Sequence, residues 1–126
     1  MKILSPAKIN LTLEIFGKRS DGFHELATWM LPVGLYDSIE IEPAGSPSFH
    51  SNVPELDGDP SNLVSRAVDL FNRTAEIDMA YAIRLEKQIP IGAGLGGGSS
   101  NAASTLRWPC RVFSPVPCRE SACDPT

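Results

Sequence analysis

Pro90-Ile91-Gly92-Ala93-Gly94-Leu95-Gly96-Gly97-Gly98-Ser99-Ser100-Asn101 carries five glycines in the seven residues from 92 to 98. Glycine has no Cβ, so such a run reaches positive backbone dihedrals and lets a ligand approach the main chain closely. Successive N–H groups in it can converge on anionic oxygens. From Ser99 the sequence reads as a helix start, Ser99-Ser100-Asn101-Ala102-Ala103-Ser104-Thr105-Leu106. A helix there adds unpaired amides and the positive end of its dipole. The chemistry implied is phosphate binding, and the position between a strand and a helix argues against a mere flexible linker. Gly92-x-Gly94-x-x-Gly97 formally meets the dinucleotide fingerprint, but no second strand ending in an acidic residue follows about 20 positions on. A Walker A loop needs Lys followed by Ser or Thr after its last glycine, and Gly98 is followed by Ser99. A protein-kinase loop leads into a strand, whereas this one opens a helix.

Upstream of the loop, Met79, Tyr81, Ile83 and Leu85 alternate with Ala80, Ala82, Arg84 and Glu86, which predicts a strand. Before that, Leu63, Val64, Ala67, Val68, Leu70 and Phe71 recur at helical spacing, with Ser61 or Asn62 as candidate caps. Residues 43 to 60 are rich in proline and glycine and read as loop, with a short strand near Phe49. At the start of the chain Ile9, Leu11, Leu13 and Ile15 alternate with Asn10, Thr12 and Glu14, the signature of a half-buried strand. A turn over residues 17 to 22 leads to two further strands, His24 to Val33 and Asp37 to Glu42. Strands, a helix, a strand, a glycine loop and a helix make an α+β layout, with one domain expected over residues 1 to 106.

Beyond Leu106 the character changes. Pro109 meets the new helix, where it removes a donor and clashes with the preceding turn. Residues 107 to 126 hold four of the eleven prolines and all three cysteines, Cys110, Cys118 and Cys123. The stretch reads either as an unstructured natural tail or as sequence foreign to the gene, such as a frameshift product. The cysteine spacings suit neither a disulfide framework nor a zinc ribbon, and no metal site is expected. The net charge of −4, with no basic stripe, argues against nucleic acid. No apolar run approaches the roughly 18 residues of a membrane span, and Pro6 interrupts any signal-peptide core. A cytoplasmic protein is expected.

Pro-x-x-x-Gly-Leu-Gly-x-Gly-Ser-Ser-x-Ala, from Pro90 to Ala102, resembles the ATP loop of the GHMP kinases. Together with Ser5-Pro6-Ala7-Lys8-Ile9-Asn10-Leu11 and Arg19-Ser20-Asp21-Gly22-Phe23-His24-Glu25-Leu26, it is most similar to their diphosphocytidyl-methylerythritol branch. The resemblance covers roughly residues 1 to 106. It implies an incomplete GHMP-kinase N-terminal domain, like domain 2 of ribosomal protein S5. The activity implied is transfer of the ATP γ-phosphoryl group, with Mg2+, to a hydroxyl of 4-diphosphocytidyl-2-C-methyl-D-erythritol on the non-mevalonate route to isoprenoids. Pro90, Ile91, Gly92, Ala93, Gly94, Leu95, Gly96, Gly97, Gly98, Ser99 and Ser100 would hold ATP. Lys8 would sit by the reacting hydroxyl and the transferred group, whose charge an ammonium can hold. Asn10, on the same strand face, would contact the substrate. Phe23 would stack on the cytosine ring and His24 hydrogen-bond its edge, with phenylalanine where the family often has tyrosine.

The family's general base is an aspartate in a later Gly-Ala-Asp-Val-Pro type segment, and this sequence contains no such segment. Asp124, which follows Cys123, does not take that role. The chain alone is therefore expected to be nearly inactive and poorly soluble, with apolar faces bare. Two alternatives stand beside the kinase: a non-catalytic remnant that keeps nucleotide or cytidine binding, and another GHMP kinase such as homoserine kinase. Lys8-Ile9-Asn10 and Phe23-His24 argue against the latter.

Overall fold

The computed structural model describes residues 1–113, with side chains through residue 109. Its elements run β1 (Lys2–Lys18), β2 (His24–Ala44), β3 (Ser48–Ser51), α1 (Leu63–Ala75), β4 (Ala80–Glu86) and α2 (Gly97–Phe113). The sheet order is β1-β2-β4-β3, antiparallel except for the β3–β4 pair. A parallel pair needs a crossover, and α1 supplies it between β3 and β4. This is the α+β arrangement expected.

The core lies where the sheet meets the helices. Ile39 and Ile41 of β2 stand opposite Leu85 and Ile83 of β4. Val64 of α1 and Trp108 of α2 close over them, with Tyr81 set edge-on to Trp108 at 5.1 Å between ring centroids. Cross-strand pairs share a face, so Glu40–Arg84 and Ser38–Glu86 lie on the opposite one. The Asn62 side chain caps α1 by accepting from the Val64 amide at 2.8 Å, while Ser61 bonds Asp59 instead.

Three expectations need correction. The strands expected over 24–33 and 37–42 are one strand, β2, because Gly34 and Leu35 are absorbed as an irregularity opposite the Pro6/Ala7 step rather than as a turn. Ile9, Leu11, Leu13 and Ile15 do not share one buried face. A bulge between Asn10 and Thr12 inserts an extra residue, so Ile9 pairs with Leu31 while Leu13 and Ile15 fall on the face of Lys8, Asn10 and Met30. All four apolar residues are exposed. Finally, α2 starts two residues earlier than expected and carries Pro109 inside it. Burial of Trp108 against Tyr81 offsets the hydrogen bond that Pro109 gives up. Cys118, Cys123 and the rest of the expected tail from residue 114 lie outside the described residues.

Candidate functional site

The glycine run closes one wall of a cavity of about 430 Å³. Pro90, Ile91, Gly92, Ala93, Gly94, Leu95, Gly96, Gly97, Gly98 and Ser99 all line it. Asn62 and Leu63 at the start of α1, with Leu56, Leu85 and Lys87, form the rest of the wall that matters here. The volume falls in the range of roughly 300–1,000 Å³ common for small-molecule sites. Gly92, Gly94 and Gly96 take φ values of 72°, 73° and 69°, which a residue with a Cβ adopts only at a cost. The Ser100 amide donates to the Gly96 carbonyl at 2.9 Å, the first turn of α2. The amides of Gly97, Gly98 and Ser99 therefore have no acceptor within the helix, and they stand at its positive end. Phosphate oxygens are what such a wall accepts best.

Lys8 lies on the other side of this loop and is locked to it. Its amide donates to the Leu95 carbonyl at 2.9 Å, and its ammonium donates to Asn10 Oδ1 at 3.2 Å. A Cβ on Gly96 would stand 3.0 Å from both Cγ and Cε of Lys8. Gly97 is equally close-packed, since its Cβ would meet Ile89 and the Lys87 ammonium at 2.9 Å. These glycines let two cationic side chains press against the backbone that would face phosphate. Ser100 does not line the cavity but accepts a hydrogen bond from Ser5 at 2.8 Å.

Phe23 and His24 are not brought to this place. Both are exposed at the tip of the β1–β2 hairpin, where His24 pairs with Lys18. The turn is held by the Phe23 amide on Asp21 Oδ1 at 3.1 Å. Nine residues of β1 lie between Lys8 and Lys18.

Behind the loop lies a buried polar cluster that sequence reasoning missed. Asp37 is fully buried. Its Oδ1 accepts from the amides of Gln88 and Ile89 at 2.7 and 2.8 Å. Its Oδ2 accepts from the Lys87 ammonium and from Asn101 Nδ2, the latter at 2.9 Å. Asn101 also donates to Ser5 Oγ at 3.1 Å and accepts from Lys87 at 3.1 Å. Burial by itself would push the Asp37 carboxyl up; the hydrogen bonds from Ile89, Lys87, Asn101 and Gln88 outweigh it and hold the group below its ordinary value. Lys87 stands immediately before the glycine loop and Asn101 within its helix, which was the available signal. Asp37 gave none, being 50 and 64 residues from those partners.

The described residues contain no group of three His, Cys, Asp or Glu side chains able to hold a metal. No helix among them is long and apolar enough to cross a membrane.

The site is thus a strand–glycine loop–helix with a lysine on the first strand pressed against the loop, and residues 62–120 match the GHMP kinases N terminal domain family. Within that class the chain resembles the N-terminal portion of 4-diphosphocytidyl-2-C-methyl-D-erythritol kinase. It is 46% identical over 114 residues to that kinase from Anaeromyxobacter sp. (strain K), covering 87% of this chain and 36% of the relative. It is 44% identical over 117 residues to the chloroplastic enzyme of Mentha piperita, covering 90% and 29%. The chain thus spans about a third of the length of these curated relatives. A crystal structure of 4-(cytidine 5'-diphospho)-2C-methyl-D-erythritol kinase superposes with a TM-score of 0.75 at 41% identity, over 93% of this chain and 42% of that one. Homoserine kinase from Cytophaga hutchinsonii shares the fold alone, with a TM-score of 0.65 at 15% identity over 92% of this chain and 36% of that one.

Proposed function

We propose that this chain provides the phosphate loop and first-strand lysine of an ATP-dependent kinase acting on a hydroxyl of 4-diphosphocytidyl-2-C-methyl-D-erythritol. The observation that carries the proposal is the lock between Lys8 and the loop: one backbone hydrogen bond to Leu95 and side-chain packing on Gly96. ATP supplies the phosphoryl group and brings Mg2+ with it. The amides of the loop and of the first turn of α2 bind the phosphates. The Lys8 ammonium, on a strand fixed to the loop, holds negative charge on the transferred group, and Asn10 orients the Lys8 side chain and meets the substrate. Positioning dominates such chemistry, so a lysine held by main-chain contacts is worth more than a mobile one.

Phe23 and His24 are proposed to hold the cytosine ring. Both are solvent-facing at the hairpin tip, with the ring and imidazole free to engage a base. The proposed compartment is the cytoplasm, although the Mentha piperita relative is chloroplastic by name. The test is a set of NMR titrations of the chain with ATP and Mg2+, with a cytidine diphosphate-linked methylerythritol, and with homoserine. Saturable shifts with the first two and none with homoserine are expected. Saturation by homoserine, with no response to the cytidine compound, would reject the substrate assignment.

A further inference from the structure

Asp37 does not line the cavity, yet it joins every segment that shapes the cavity's phosphate end. Its Oδ1 holds the backbone at Gln88 and Ile89, immediately before the glycine run. Its Oδ2 holds Asn101, four residues into the helix that the run opens. Through Asn101 the cluster reaches Ser5, three residues before Lys8, and Ser5 in turn donates to Ser100. The entry of the loop, its exit and the lysine strand are thus tied to one carboxylate. Both oxygens are fully used, and the Lys87 ammonium balances the charge inside the fold.

We infer that Asp37 is a positioning residue for nucleotide binding: it sets the separation and direction of the two ends of the glycine loop, and so aims the loop amides at phosphate. The inference rests on the phosphate-loop proposal above. Seven residues, five of them glycine, cannot hold a shape unaided, because glycine backbone is the most costly to order. Rigid anchors at both ends lower that cost before the ligand arrives. Replacement by asparagine keeps the acceptor for the Gln88 and Ile89 amides. It turns a second donor toward Lys87 and Asn101, both of which donate to that oxygen. The loop would stay folded and lose its aim.

A purely structural role would weaken all ligands alike, whereas positioning of the loop affects phosphates alone. The other end of the cavity, at Leu56, Asn62 and Leu63, has no bond to the cluster. The experiment titrates the wild-type chain and its Asp37→Asn variant with ATP and, separately, with adenosine, followed by NMR shifts, with circular dichroism as the check on folding. ATP affinity is expected to fall on the order of ten-fold, as for a lost charge-assisted hydrogen bond, while adenosine affinity holds. If Asp37→Asn does not fold, Ser5→Ala carries the test. It removes bonds to Ser100 and to Asn101, a wall residue at the phosphate end, while Ser5 itself lies outside the cavity wall, and a several-fold loss confined to ATP is expected. A folded variant with ATP affinity equal to or above wild type overturns the inference, as does an equal loss for ATP and adenosine. A wild-type chain that fails to bind ATP rejects the phosphate loop itself, and this inference with it.

Discussion

The two ends of the β1–β2 ribbon are made of the same two strands, paired on both sides of three irregularities, and have opposite fates. Toward the start of β1, Ser5 and Ala7 are buried under α2, and their part of β2 contributes Asp37, Ile39 and Ile41 to the interior. From Ile9 to Lys18, and across from it over His24 to Pro32, nothing is buried, and Trp29 is 72% exposed. Strand pairing satisfies the backbone at both ends; only the helices differ. Alternation writes the pleat, while burial is written by whatever stands opposite. The bare end offers a continuous apolar surface, with Leu13, Ile15, Leu26 and Met30 on the face that also carries Lys8.

That contrast has measurable edges. Ile39→Ala at the covered end should cost about 2–5 kcal/mol in urea unfolding, whereas Leu13→Ala at the bare end should stay within about 0.5 kcal/mol. Similar costs at the two sites would mean that the bare end is covered in solution. Acid comes next in size and acts at the covered end through Asp37. Asp37 has its folded-state pKa depressed, so its contribution is present above the unfolded value, near pH 4, and is lost as pH falls through the folded value. Urea midpoints measured from pH 7 down to pH 2.5 should drop more steeply for wild type than for Asp37→Asn; parallel curves would count against the hydrogen-bonded carboxylate. The smallest effect compares two glycines in left-handed backbone. Gly22 at the hairpin tip has φ 88° with nothing near its absent Cβ, while Gly96 has φ 69° and Lys8 at 3.0 Å. Alanine should cost about 1–2 kcal/mol of backbone strain at either place. Only at Gly96 should it also displace Lys8 and weaken ATP binding, and equal ATP affinity in both variants would deny the lock.

Legibility in the sequence followed the range of the interactions. Local signals served well: the helix from Leu63 with Asn62 as its cap, the alternation of β4, the short strand at Phe49, and the glycine loop between strand and helix. Lys8 and the loop could be named from their motifs, and the structure brings them into contact. What failed were features set by distant partners. The bulge after Asn10 flips the face of Leu13 and Ile15, and nothing local in an alternating run announces one extra residue. Pro109 reads as a stop, yet Trp108 beside it packs into the core and carries the helix onward. Asp37 looked like an ordinary strand end because its meaning comes from residues far along the chain.

The Ser5–Asn101 contact joins positions 96 apart, farther along the chain than the β1–β2 hairpin, the β2–β4 pairing or the Asp37–Asn101 contact. Contacts of such long separation form late, because chain entropy must be spent before they return anything. On the ribosome the loop would emerge before Asn101 and wait, unanchored at its far end, until α2 had left the exit tunnel. The loop would then take its final shape only once α2 had formed, and any ligand that the loop holds would favour that later step over the first strand pairings.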